Sequence, residues 1–430
     1  MSVGHGSPTA TTRFVVEARR LFDGHSYVEP ARVLVVDGRI EAVGADVTEP
    51  STIDLGDVTL LPGLVDCHQH LVFDGVGTFE EQVSGRTDEE LRDRARVQAR
   101  RALEGGVTTL RDLGDRGFVT LDLRGDVDLP TILCAGPPIT AVQGHCWYLG
   151  GECQDRAALL AAVRERAERG CDVVKIMATG GAGTPTMPPW QSQFSADDLR
   201  AVVDEAHRLG LPVAAHCHGE QGISDSIDAG VDTIEHCTFM NAESNPNPDS
   251  ELLARLASSG IALSATFGHC PDGPAPPPVI RQITPAVRAA QTIVRELGGK
   301  IVVGTDAGIT TAKPHDVAPL AIHDLISIGM TPLEALAAMT SGGADALGLA
   351  AKGRLTPGAD ADVIAVDGDP LTDPAALARV VRVWRAGLPV SRRSPGTREL
   401  TGDAPISADA SLREGVGRSR ACGSPTPTTT

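Results

Sequence analysis

No Cys-x-x-Cys pair occurs among the nine cysteines, basic residues are too few to balance the acids, and no apolar run approaches the ~18 residues that span a bilayer. Each shortage excludes something. The cysteines are odd in number and scattered, and several (Cys67, Cys134, Cys217, Cys237) sit inside strand-like apolar runs. They read as small buried side chains of a protein kept in a reducing cytoplasm. The 38 basic and 56 acidic residues leave a formal charge of −18, the wrong sign for nucleic acid or an anionic membrane surface. The start of the chain, Met1 to Thr12, is rich in Gly, Ser and Thr and lacks the apolar core of a signal peptide. Gly180-Gly181-Ala182-Gly183 has no following Lys-Ser/Thr, so it is not a phosphate loop.

What is present is a 430-residue chain with 41% hydrophobic and 22% charged residues, enough for a large barrel and an accessory part. From Arg13 the chain alternates and turns, and Asp37-Gly38 between two β-rich runs predicts a hairpin. Pro62-Gly63 breaks this β unit. Eight short apolar runs follow, at 64–70, 107–113, 131–135, 173–178, 212–217, 233–238, 261–267 and 300–305, each expected to be followed by a helix. Helix starts are legible: Thr87 and Glu90 stand at capping-box spacing, and Thr331-Pro332-Leu333-Glu334 adds a first-turn proline to the same device. Ser195 opens a helix whose Leu199, Val202, Val203, Ala206 and Leu209 share one face, closed by Gly210. Short strands return after Gly353.

The pattern predicts an α/β chain: a (β/α)₈ TIM barrel over 63–351 and a small discontinuous β-sandwich domain built from 13–62 plus 352–392. The segments 1–12 and 394–430, the latter rich in Ser, Pro, Thr and Gly, are predicted to be disordered tails.

Chemistry on such a barrel sits at the C-terminal ends of the strands. His68 and His70 end the first run two residues apart, and so face the same side of a strand. The fourth run carries Lys175 among apolar residues, the fifth ends His216-Cys217-His218, the sixth carries Glu235-His236, and the eighth leads to Asp306. Five strands thus offer metal-type ligands at one end. An ammonium beside divalent cations is strongly disfavoured, so Lys175 is expected to be neutral there. A neutral amine can take up CO₂ and become a carbamate with two oxygens able to bridge two metals. The bland alternative is a lysine paired with a neighbouring carboxylate.

The set Pro62-Gly63-Leu64-Val65-Asp66-Cys67-His68-Gln69-His70, Lys175, His216, His236 and Asp306 resembles the amidohydrolase superfamily over nearly all of 13–392. Val174-Lys175-Ile176-Met177-Ala178-Thr179-Gly180-Gly181 and Ala215-His216-Cys217-His218-Gly219 are similar to its Xaa-Pro dipeptidase (prolidase)-like and imidazolonepropionase-related branch. Several members of that branch are carboxypeptidases or dipeptidases. The resemblance implies a binuclear zinc site: His68, His70 and Asp306 on one ion, His216 and His236 on the other, with carboxylated Lys175 and a hydroxide as bridges. Asp306 would take the proton of the attacking hydroxide and pass it to the leaving nitrogen, or act as a plain ligand. By spacing, either His216 or His218 can be the fifth-strand ligand. His216 is favoured, with His218 beside the substrate.

The segment Gln143-Gly144-His145 matches the family's Gly-His loop, which puts His145 against the substrate. Tyr148 and His269 are further candidates for the pocket wall, and His315 resembles a position near the barrel mouth. His207 is expected on a solvent-facing helix surface, and His5, His25 and His323 receive no role. Arg111 and Asp112 on the second strand read as a buried ion pair. The resemblance implies a zinc-dependent hydrolase of amide C–N bonds in dipeptide-like or N-acyl-amino-acid substrates. A cyclic-amide hydrolase or deaminase of the same superfamily is the nearest rival. Mononuclear deaminases place a glutamate three residues after the fifth-strand histidine; here that position is Gly219, with Glu220 one later. A non-catalytic scaffold would lack a ligand, and none is missing. The expected partner is a small molecule or dipeptide, and assembly into a homo-oligomer is left open.

Overall fold

The computed structural model describes residues 12–50, 53–243 and 245–391. The predicted tails lie outside these residues, Thr12 excepted. All eight apolar runs are strands parallel to their neighbours: Leu64–Gln69, Val107–Asp112, Thr131–Cys134, Val174–Met177, Val213–Gly219, Thr233–Met240, Ala262–Ala265 and Lys300–Val303. They are referred to below as the first to eighth strands. The first three form one sheet and the last five another, so the ladder is interrupted at two seams.

Local chemistry explains both interruptions. After the third strand, Gly136 turns with φ 67° and Pro137-Pro138 offer no N–H, so a regular ladder cannot continue. Pairing resumes at Ile139, whose N–H donates to Lys175 O (2.8 Å) and whose carbonyl accepts from Met177 N (2.8 Å). The eighth strand stops at Val303, short of the predicted 305, and Asp306 lies in the left-handed region at φ 59°. The chain still reaches the first strand there: Asp306 N donates to His68 O at 2.7 Å, and His70 N to Ala307 O at 3.0 Å. Asp66 reinforces this seam. Its buried carboxylate accepts from Thr305 N (2.8 Å), Thr305 Oγ1 (2.6 Å) and Gln69 Nε2 (2.7 Å).

The helices begin where the caps predict. Thr87 and Thr331 make both bonds of a capping box, and the Ser195 side chain accepts from Asp198 N. The Ala196–Arg208 helix buries Leu199, Val202, Val203 and Ala206 against the strands. The second strand differs from expectation, because only a 3₁₀ turn, Val119–Leu123, follows it before the third. Asp115 accepts from Phe118 N, Thr120 N and Thr120 Oγ1 there, and Gly117 and Phe118 have positive φ. Side-chain bonds to the local backbone thus replace a helix.

The terminal pieces of the chain meet. Val363–Asp367 pairs antiparallel with Val58–Pro62 in a five-stranded sheet, and Arg13–Glu17 lies with Arg32–Val36 and Arg39–Val43 in a four-stranded one. The Asp37-Gly38 turn has φ 47° and 78°, as the hairpin requires. One apolar cluster, including Val16, Val33, Ile40, Leu60, Val363 and Trp384, draws on both sheets. Gly63 joins this β unit to the first strand, and a Cβ there would stand 2.0 Å from Thr108 Oγ1. Among the described residues no helix is long and apolar enough to cross a membrane.

Asp66→Ala would leave the Thr305 donors buried without an acceptor and Gln69 Nε2 with only the carbonyl of His315 at 3.3 Å. Urea unfolding should show a loss of about 2–4 kcal/mol, with Asp66→Asn between that variant and wild type.

Candidate active site

At the C-terminal ends of the strands the polar side chains converge. His68 Nε2 is 3.1 Å from His70 Nε2, and the two nitrogens lie 3.5 and 3.3 Å from Asp306 Oδ1. The donor atoms of His68, His70 and Asp306 all fall within 4.8 Å of one another, and so do those of His216, His218 and His236. The two groups adjoin: ring centroids of His68 and His236 are 5.1 Å apart, and His236 Nδ1 is 3.9 Å from Asp306 Oδ2. Lys175 is buried beside them, and its Nζ has no hydrogen-bond partner among the described residues. Both fifth-strand histidines join the second group, so the geometry brings in His218 as well as the favoured His216. His216 Nε2 faces Gly180 O at 3.1 Å and His218 Nδ1 faces Thr238 Oγ1 at 2.9 Å.

The backbone pays for this convergence with unusual conformations. His236, Cys237 and Asp306 adopt φ of 67°, 51° and 59°, in the left-handed region that side chains other than glycine seldom enter. On a regular strand Glu235 and His236 would face opposite sides. The positive φ at His236 lets both reach the His68 imidazole, whose Nδ1 is 3.0 Å from Glu235 Oε2.

Electrostatics suits neutral nitrogen donors around one anion. Burial is the largest cause in lowering His68 and His218 to about 4 and His145 to about 3, and it takes His216 and His236 well below the usual imidazole value. Burial likewise lowers Lys175 toward the neutral amine. It opposes ionisation of Asp306, but the adjacent His68, His70 and Lys313 outweigh it and hold the carboxylate well below the ordinary range. Neutral imidazoles, an amine and a carboxylate are the donor set that a divalent metal takes. The residues therefore fit a metal site.

His145 stands over the cluster, its ring 4.6 Å from that of His216 and its Nδ1 2.9 Å from Thr184 Oγ1. Gln193 secures its loop: Oε1 accepts from His145 N (3.2 Å), and Nε2 donates to Met177 O (2.9 Å) and Thr179 O (2.8 Å). Tyr148, His218 and half-buried His269 also line the cavity, which measures about 1390 Å³. His315 does not line it. This imidazole is buried behind the first strand, Nδ1 2.9 Å from Gln69 Oε1 and Nε2 3.1 Å from Phe73 O. His207 keeps its exposed helical place, 2.8 Å from Asp232.

The expected Arg111–Asp112 pair is not formed. Neighbouring residues on a strand point to opposite faces. Arg111 reaches Glu235 Oε1 at 2.8 Å, while Asp112 accepts from Leu71 N (2.7 Å) and Gly114 N (3.2 Å). Burial opposes ionisation of Glu235, and Arg111 and His68 hold its carboxyl below the ordinary range. Sequence reasoning also missed His323, which lines the cavity, and the apolar wall of Phe73, Phe79, Phe267, Ile283 and Val287. The proline-rich stretch 274–277 and the amphipathic Pro278–Glu296 helix were the available signal for part of that wall. Glu220, the deaminase-type candidate, opens the Glu220–Ala229 helix and is not among the residues lining the cavity.

Residues 59–390 match the amidohydrolase family model. Ochratoxinase of Aspergillus niger is 28% identical over 381 residues, covering 76% of this chain and 75% of that enzyme. Imidazolonepropionase of Salinispora tropica is 26% identical over 402 residues, covering 84% and 90%. The crystal structure of a Xaa-Pro dipeptidase with methionine in its active site is similar with a TM-score of 0.74 and 27% identity, over 88% of this chain and 99% of that one. The chain belongs to the amidohydrolase family and is a hydrolase of carbon–nitrogen bonds.

Proposed function

We propose that the protein is a metal-dependent, binuclear zinc hydrolase that cleaves the amide C–N bond of dipeptide-like or N-acyl-amino-acid substrates in the cytoplasm. Its scaffold in this reading is a closed (β/α)₈ barrel over 63–351 with a β-sandwich from 13–62 and 352–392. The observation that carries the proposal is the gathering of His68, His70, Lys175, His216, His218, His236 and Asp306 into one cluster at the strand ends. His68, His70 and Asp306 would hold one ion, and His216 and His236 the other. Lys175, carboxylated on Nζ, would bridge them. Bound there, two divalent ions would polarise the scissile carbonyl and make water a nucleophile near neutral pH.

The remaining work belongs to the chain. Asp306 accepts the proton of the attacking water and returns it to the leaving nitrogen, a transfer that its anionic state permits. His145 donates a hydrogen bond to the carbonyl oxygen or to the substrate carboxylate, with Thr184 fixing its ring. His218 stands beside the reacting bond, and Tyr148 and His269 border the substrate farther out. Lys175 is suited to carboxylation because burial already favours the uncharged amine, the form that attacks CO₂.

Protein refolded with zinc and bicarbonate should bind about two zinc ions per chain by elemental analysis, the number a two-metal site requires. Lys175→Ala should abolish amide hydrolysis and reduce bound metal, with short carboxylic acids restoring part of both. Full activity in that variant would eliminate the carbamate bridge. Turnover of N-acyl-amino acids or dipeptides in preference to lactams and aminopyrimidines would support the substrate class.

Protons compete with metal for the same lone pairs. In the metal-free protein the folded state keeps His68, His145 and His218 neutral down to about pH 3–4, whereas the unfolded chain protonates them near pH 6.5. The unfolded state thus binds more protons across that window, and stability falls as the pH is lowered through it. Urea midpoints of the metal-free protein should decline steadily from pH 6.5 to pH 4, and a flat profile would contradict the neutral-imidazole cluster.

A further inference from the structure

Glu235 does not line the cavity, yet three strands converge on it. Its Oε1 accepts from Arg111 Nη2 (2.8 Å) and Thr233 Oγ1 (2.6 Å); its Oε2 lies 3.0 Å from His68 Nδ1, out of line for a regular hydrogen bond, and neither of these two atoms has another hydrogen-bond partner among the described residues. Arg111 in turn donates from Nε to the carbonyl of Cys67 at 2.8 Å, one residue before His68. The second strand therefore grips the first and the sixth at once. The Glu235 and His68 side chains are 0% and 1% exposed, so water does not compete.

An ion pair alone would be satisfied by a two-pronged contact between guanidinium and carboxylate. Here the oxygens are divided: one serves Arg111 and Thr233, and the other faces the imidazole. An ionised carboxylate only accepts, so the nitrogen facing it carries the hydrogen. That leaves the Nε2 lone pair of His68 directed at the cluster, 3.1 Å from His70 Nε2 and 3.5 Å from Asp306 Oδ1. The other cluster imidazoles have uncharged backing, such as Gly114 O at 3.3 Å from His70 Nδ1 and Thr238 Oγ1 at 2.9 Å from His218 Nδ1. Among the described residues only His68 has a carboxylate behind it, outside the donor cluster itself.

We propose that Glu235, anchored by Arg111 and Thr233, is a positioning residue that fixes the Nδ1–H tautomer and the orientation of the His68 ring, and thereby sets the divalent-metal affinity of the His68/His70/Asp306 group. This rests on the metal-dependent reading above.

Two measurements test it. In wild-type metal-free protein, ¹⁵N NMR of the imidazoles should show His68 protonated at Nδ1 and bare at Nε2; the opposite tautomer overturns the proposal. The second is zinc competition with a chromogenic chelator, comparing wild type with Glu235→Gln. The amide offers one acceptor and one donor to two donors, so it cannot serve both Arg111 and His68. Zinc binding should weaken by roughly 10- to 100-fold in variant protein whose circular dichroism matches wild type. Unchanged zinc affinity with only a lower thermal midpoint would reduce Glu235 to a structural ion pair and overturn the proposal. Should Glu235→Gln fail to fold, the wild-type tautomer decides. Should wild type itself take up no zinc, the metal-dependent reading fails, and the tautomer still judges the role of Glu235.

Discussion

The structure depends on keeping a crowd of nitrogen donors dry around a single carboxylate. Five histidines, a lysine amine and Asp306 meet at the strand ends, and burial strips most of them of the water that would otherwise satisfy them. Each buried polar group left without a partner costs about 1–3 kcal/mol, so the cluster is a debt to folding unless something binds it. The scaffold is built to withstand that cost. Asp66 ties the eighth strand to the first, Ile139 ties the third to the fourth, and Gly304 lets the eighth strand approach the His68 backbone, where a Cβ would stand 2.5 Å from His68 Cβ.

The parts legible in the sequence were those set by local period and spacing. His68 and His70 share a strand face because alternate residues do. Lys175 was conspicuous as the lone charge in an apolar run, and Thr87, Ser195 and Thr331 announced their helices through caps that need only three following residues. The parts that were not legible are long-range. Arg111 had an acidic neighbour in sequence, yet its partner Glu235 lies 124 positions away, across the strands. The break of the eight strands into arcs of three and five follows from backbone turns at Gly136 and Asp306 that no periodicity reports. Both fifth-strand histidines point into one cluster, so the ambiguity between His216 and His218 is a property of the site as well as of the spacing.

Family membership fixes the bond type, and the cavity bears on what carries that bond. The donor cluster lines a space that Phe73, Phe79, Phe267, Ile283 and Val287 also line, with the Phe73 ring 5.5 Å from that of His70. These wall residues come from the loops after the first and seventh strands and from the Pro278–Glu296 helix. Segments beyond the strands thus line much of the cavity, a common arrangement where an active site sits at the ends of parallel strands.

The most direct test is anomalous diffraction at the zinc edge from crystals of the zinc-loaded protein. The account predicts two peaks about 3.5–4 Å apart, the spacing of two-metal hydrolytic sites, one beside His68, His70 and Asp306 and one beside His216 and His236, with density extending from Lys175 Nζ between them. Zinc found only at surface side chains, with the buried cluster holding none, would contradict it.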